Sequence, residues 1–256
     1  MRSNSTWQLS ALSPIVWASS AWRIPYVLLT VAGVIVSVLV SGTAYAIVVA
    51  SVTGKFDPAS PINLLPLQLA VYVPWALLLL WALPRLAHAS YAELGFRKPT
   101  AGELLLALGG AVVMWIVVSG VGSLIVALSH RPANEAAITL LRDLRTPAQK
   151  WLFAAIGIAI GPLVEELTFR VFLFNAFTRY TTTAGAALGS GALFGLAHVQ
   201  GNDVASQLLT ISIPLALGGM VLAYVYARTR CFWANVTTHA LFNAVSIVAV
   251  LVFHAK

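Results

Sequence analysis

Charge is scarce in this chain. Asp, Glu, Lys and Arg make up 9% of its 256 residues, where a soluble domain carries about a quarter. Hydrophobic residues make up 59%, with a mean hydropathy of +0.88, so the chain reads as an integral membrane protein. Cysteine is scarcer still. Cys231 stands alone, which excludes an internal disulfide and any cysteine-built metal site. Its expected place is that of a small residue at the entrance to a span. The polar–apolar alternation of a membrane β-strand is also lacking. The apolar runs are long and unalternated, so each span is a helix of about 20 residues. The net charge of +7 comes without a basic patch interleaved with aromatics, which removes nucleic acid as a partner. Most basic residues fall between the spans, where positive charge orients helices and meets the lipid bilayer. Residues 1–23 lack the layout of a cleaved signal, and Trp7, Trp17 and Trp22 suit a segment lying at the membrane surface.

The expected fold is all-α, a polytopic transmembrane bundle of about seven spans with one surface helix. The spans run from Pro25 to Thr53, Asn63 to Leu83, Ala101 to Leu128, Ala148 to Phe177, Ala184 to Val199, Ser206 to Tyr226 and Phe232 to Phe253. The stretch from His130 to Lys150 mixes Arg142, Asp143 and Arg145 with Leu140, Leu141 and Leu144, as a surface helix would. The fifth span is crowded with Gly185, Gly189, Gly191 and Gly195, which lets neighbouring backbones come close. One integral membrane domain is expected, with residues 1–147 as N-terminal spans and amphipathic connection and residues 148–253 as the core. The plasma membrane of a bacterium is the expected location. His88 and His130 read as ordinary loop histidines.

Against this background one stretch stands out: Gly161-Pro162-Leu163-Val164-Glu165-Glu166-Leu167-Thr168-Phe169-Arg170. Each charge at the centre of a span costs at least a few kcal/mol on insertion scales. Glu166 and Arg170 are four apart, share a helix face and can pair, which removes most of that cost. Glu165 is turned about 100° away and has no local cation. Two further spans carry polar groups at depth: Phe194 with His198, and His239 with Asn243, each pair four apart. The fifth and seventh spans run the same way, and their histidines differ in depth by about 10 Å at 1.5 Å per residue. A single intramembrane histidine ordinarily serves packing, and a Glu–Arg pair can as well. A glutamate, two histidines and an asparagine on three spans, in a chain with few other buried polar groups, point to a functional cluster.

Several chemistries are open to such a cluster. Glu165 with His198 and His239 could deprotonate a water that attacks a peptide carbonyl and stabilise the resulting oxyanion. The same three groups could hold Zn²⁺ or another divalent metal with a position left for water. No His-Glu-x-x-His occurs, and no aspartate lies in a span, which excludes zincin and aspartyl-dyad chemistry. Ser190, between Gly189 and Gly191, fits a helix contact better than a nucleophile. The rival classes are a transporter or channel with an intramembrane proton or ion site, and a non-catalytic immunity or scaffold protein. No internal repeat supports the transporter.

Glu165-Glu166-x-x-x-Arg170, Phe194-x-x-x-His198 and His239-x-x-x-Asn243, in this order on separate spans, resemble the three motifs of the CAAX-protease and bacteriocin-processing (CPBP, or Abi) intramembrane metalloproteases. That family includes the type II CAAX prenyl endopeptidases. The resemblance covers about Lys150 to Val250, and Leu94-Gly95-Phe96-Arg97 resembles the family's approach to its core. It implies an intramembrane endopeptidase acting on a peptide or membrane-protein substrate. Glu165 would activate water, His198 would position or polarise it, and His239 and Asn243 would stabilise the oxyanion. Glu166 and Arg170, with Phe194 beside them, would be supporting residues. The resemblance leaves open whether a metal takes part.

Overall fold

The computed structural model describes residues 19–253 except 59, 132–135 and 201–202. Trp7 and Trp17 lie outside the described residues. Among the described residues the regular elements are all helical, as expected. They are α1 (Ile24–Thr53), α2 (Pro61–Ala87), α3 (Ala101–Ser129) and the short α4 (Ala136–Asp143). After them come α5 (Pro147–Thr178), α6 (Thr183–Leu196), α7 (Val204–Thr229) and α8 (Phe232–Phe253). Six of these are long and apolar enough to cross a membrane. The exception among the expected spans is α6, at 14 residues. It covers about 21 Å, well short of a hydrocarbon core of about 30 Å.

Burial sorts the helices. In α5 and α7, 50% and 56% of the most apolar stretch is buried within the protein, against 6% in α1 and 11% in α2 and α3. α5 and α7 are therefore the interior of the bundle. α1 exposes Leu28, Leu29, Val36, Leu39 and Val40, side chains that only lipid would solvate well. α6 and α3 pack on α7, and α8 packs on α3. α4 and the residues just after it pack on the bundle, with Leu140, Leu141 and Leu144 buried in one cluster with Leu65, Phe153, Ile156 and Ile247.

The boundaries have local causes. Thr100 and Glu103 form a capping box at the start of α3, and Thr146 with Gln149 forms another at α5. His88 and His130 end α2 and α3 in the left-handed region, at φ of 51° and 54°. Gly95 has φ of 97°, and a Cβ there would come within 2.9 Å of the Arg230 carbonyl oxygen. Only glycine fits that approach, where the Phe232 amide donates to Gly95 O at 2.9 Å. Cys231 is buried beside it, with Sγ 3.3 Å from Arg97 O. The Trp22 side chain, in the segment expected at the membrane surface, is fully buried against protein, packed near Phe172 with ring centroids 6.3 Å apart. Its backbone is also fixed, since Trp22 N donates to Leu86 O and the Tyr180 hydroxyl donates to Trp22 O.

The small residues of α6 set its contact with α7. A Cβ on Gly191 would come within 2.7 Å of Ala216 O, and one on Gly195 would collide with the Ser212 carbonyl oxygen. Ser190 is buried and donates its hydroxyl to Phe169 O at 2.6 Å, a helix-to-helix bond of the kind its glycine neighbours permit. Gly195→Ala should therefore destabilise the protein by about 1–3 kcal/mol through overpacking. Gly102→Ala, where nothing lies within 4 Å, should be neutral or stabilising. Thermal unfolding in detergent micelles checks this, and equal midpoints for the two variants would contradict it.

Candidate active site

Proline shapes the helix that carries the two glutamates. α5 is not a uniform α-helix: Ile156–Ile160 and Leu167–Phe174 are π-helical, on either side of an α-helical Gly161–Glu166. Pro162 has no N–H to give, and its ring would clash with a carbonyl one turn back, so the preceding turn widens. Gly161 N donates to Ile156 O, five residues back. In that register the proton for Gly157 O would have to come from position 162, which is proline. Asn243 supplies it from α8, with Nδ2 donating to Gly157 O at 2.7 Å. The same device recurs in α7, where Leu208–Ser212 is π-helical just before Pro214.

Glu166 faces inward and is fully buried, as are Arg170 and Asn235. Arg170 Nη1 donates to Glu166 Oε1 at 3.1 Å, the i,i+4 pair expected from spacing. The network is wider than that pair. Arg170 Nη2 donates to Gly219 O at 3.0 Å, and its guanidinium lies 4.7 Å from the centroid of the Phe194 ring. His239 Nδ1 lies 2.8 Å from Glu166 Oε1, and Asn235 Nδ2 donates to Glu166 Oε2. The Asn235 contact was missed by the sequence reading. Its signal was present: Asn235, His239 and Asn243 are spaced four apart on one face of α8.

Glu165 points away from that network toward His198 and His239. Its Oε2 is 3.7 Å from His239 Nε2 and 3.9 Å from His198 Nε2, and it is buried with no hydrogen-bond partner. The expected difference in depth between the two histidines is absorbed by the shortness of α6. His198 lies in the turn just beyond Leu196, so it reaches the site from the end of a helix that stops early. There its Nδ1 lies 2.7 Å from Phe194 O. A carbonyl can only accept, so the neutral ring carries its proton on Nδ1 and has its lone pair on Nε2. Glu166, paired with Arg170, likewise accepts from His239 Nδ1, leaving His239 Nε2 with a lone pair. Phe194 holds both rings, with centroids 4.7 Å from that of His198 and 5.6 Å from that of His239.

Three acceptors thus face one another: a carboxylate oxygen and two imidazole nitrogens. Such a group is incomplete without something that carries protons or positive charge. A water molecule, donating two hydrogens, has that chemistry. Beside the cluster lies a cavity of about 400 Å³. Its polar lining includes Gln68, Tyr72, Glu165, His198, His239 and Asn243, and aromatic rings make up much of the rest. Two imidazoles and a carboxylate are also ligand types that zinc accepts. Two donors on one tetrahedral zinc, each at about 2.0 Å, lie roughly 3.3 Å apart. The separations here are wider, and among the described residues no three His, Cys, Asp or Glu side chains are arranged to hold a metal ion. As they stand, these residues do not form a zinc site.

Residues 147–245, the segment that builds α5 to α8 up to Val245, match the family described as type II CAAX prenyl endopeptidase Rce1-like. One curated relative is a protein of Bacillus subtilis (strain 168), named "Putative membrane peptidase YdiL". It is 29% identical over 97 residues, which are 38% of this chain and 36% of the relative. The chain therefore matches about a third of that protein's length. No solved structure matches. α1 and α2 lie outside the matched segment.

The buried network makes a measurable demand on stability. Arg170→Ala leaves the Glu166 charge buried without its cation and should cost about 3–5 kcal/mol. A thermal or denaturant midpoint unchanged from the wild type would show that Glu166 does not depend on Arg170.

Proposed function

We propose that this protein is an intramembrane endopeptidase that hydrolyses a peptide bond in a membrane-associated peptide or protein, with Glu165 activating the water. The observation that carries the proposal is Glu165 Oε2, buried without a hydrogen-bond partner and facing two imidazole nitrogens at 3.7 and 3.9 Å beside a cavity. The family match of residues 147–245 and the name of the Bacillus subtilis relative support the same class of activity. The proposed location is the plasma membrane of a bacterium, by analogy with that relative.

In the proposed reaction a water rests among Glu165, His198 and His239. Glu165 takes its proton as the water oxygen bonds to the peptide carbonyl carbon, and the carbonyl π pair moves onto oxygen. His198, fixed through Phe194 O, orients the water. His239 stands between two carboxylates, its Nδ1 held by Glu166 and its Nε2 turned to Glu165. The proton that Glu165 takes can pass to His239 Nε2, 3.7 Å away, which presents it to the new oxyanion and hands it back as the oxyanion collapses. Asn243 has a second amide hydrogen beyond the one given to Gly157 O and can turn it to the same oxygen. The carbon–nitrogen bond then breaks, the oxyanion pair returns to carbonyl, and the departing amine takes the proton held by Glu165.

Glu165→Gln keeps the size of the side chain and removes the base. Cleavage should fall by about 10²–10⁴-fold while the protein still purifies folded in detergent. A pool of fluorophore-quencher hydrophobic peptides in dodecylmaltoside micelles, with products read by mass spectrometry, measures it. A variant with wild-type cleavage rates would eliminate Glu165 as the base.

A further inference from the structure

The cluster described above is rich in acceptors, and its committed donors are few to spare. Asn243 already gives one hydrogen to Gly157 O, and the Ser246 hydroxyl donates to Phe242 O at 3.1 Å. On the cavity wall formed by α2, outside the family-matched segment, the balance is reversed. Gln68, Tyr72 and Trp75 all line the cavity, and their spacing of four and then three places them on one helix face. The Tyr72 hydroxyl makes no hydrogen bond among the described residues, and it lies within electrostatic reach of the Glu165 carboxylate. The Trp75 indole Nε1 is buried with no acceptor. The two rings brace each other edge to face, with centroids 6.1 Å apart. A buried donor left without an acceptor is costly and calls for an explanation.

We propose that α2 supplies the donors for the substrate carbonyl, with the Tyr72 hydroxyl polarising it and stabilising the oxyanion and the Trp75 indole N–H holding the adjoining peptide backbone. This rests on the proteolytic mechanism above and adds to it the half of the site that binds the scissile group. A peptide in the cavity then lies between the donors of α2 and the wall formed by α5, α6 and α8. The carbonyl oxygen accepts from Tyr72 in addition to Asn243 and His239, and the attacking water comes from the side of Glu165. When the water oxygen bonds to the carbonyl carbon, the negative charge that develops on oxygen meets the Tyr72 O–H. No proton need leave the tyrosine. The requirement is for an unshared O–H, so phenylalanine, which keeps the ring and its contact with Trp75, removes the function alone.

The test measures steady-state cleavage of the same peptide pool in dodecylmaltoside micelles by wild type, Tyr72→Phe, Trp75→Phe and Glu165→Gln, with thermal midpoints beside each. Loss of one oxyanion donor costs about 10²–10³-fold in kcat. Tyr72→Phe should show a fall of at least about tenfold in kcat with little change in KM, at an unchanged midpoint. Trp75→Phe should act mainly on KM. A Tyr72→Phe variant within about twofold of wild-type kcat, with Glu165→Gln inactive, overturns this assignment and leaves the mechanism standing. Full activity in Glu165→Gln overturns the mechanism instead. Should Tyr72→Phe fail to fold, an unaltered KM and kcat in Trp75→Phe would overturn the proposal. A pool from which the wild type releases nothing counts against both.

Discussion

The buried carboxylate of Glu166 is the group around which the rest of the interior is arranged. A lone negative charge at that position, shut off from water and inside a bundle of apolar helices, would not be tolerated. Three groups meet it, Arg170 from one turn along its own helix and His239 and Asn235 from α8, and behind the arginine lie the Phe194 ring and the Gly219 carbonyl from α6 and α7. Each of these contacts crosses between helices except the first. The same charge therefore fixes α5, α6, α7 and α8 against one another. It also sets the tautomer of His239, and through it the lone pair that faces Glu165.

That dependence makes the pair of adjacent glutamates a division of labour. Glu166 is saturated with partners. Glu165, one residue earlier and turned by a helical step, has no hydrogen-bond partner at Oε2 and borders the cavity. The π-helical turns on either side of them matter here. The first leaves the Gly157 carbonyl facing proline at the position that would donate to it, and Asn243 reaches it instead, while Ser190 bonds to the Phe169 carbonyl within the second. Helices that depart from 3.6 residues per turn often do so near functional groups.

Much of this was legible in the sequence, because in a membrane the polar residues are few and their spacing is informative. The helical class, the span boundaries to within a few residues and the pairing of Glu166 with Arg170 follow from hydropathy and the helical repeat. What was not legible depends on long-range packing. Trp22 looked like an interfacial tryptophan by composition, and its burial against protein depends on Leu86 and Tyr180, which tie its backbone down, and on Phe172, which meets its ring. The length of α6 was overestimated because Ala197 and His198 are compatible with a helix, while the turn they form is set by tertiary contacts. The faces of α2 were silent for another reason: Gln68, Tyr72 and Trp75 gain meaning only once a cavity is known to lie beside them.

The bond from Asn243 to Gly157 O spans the cavity wall, since both residues line it and they belong to different helices. It ties α5 to α8 at the edge of the cavity. Parting the two helices there would cost a hydrogen bond and uncover a carbonyl for which Pro162 has no proton to give.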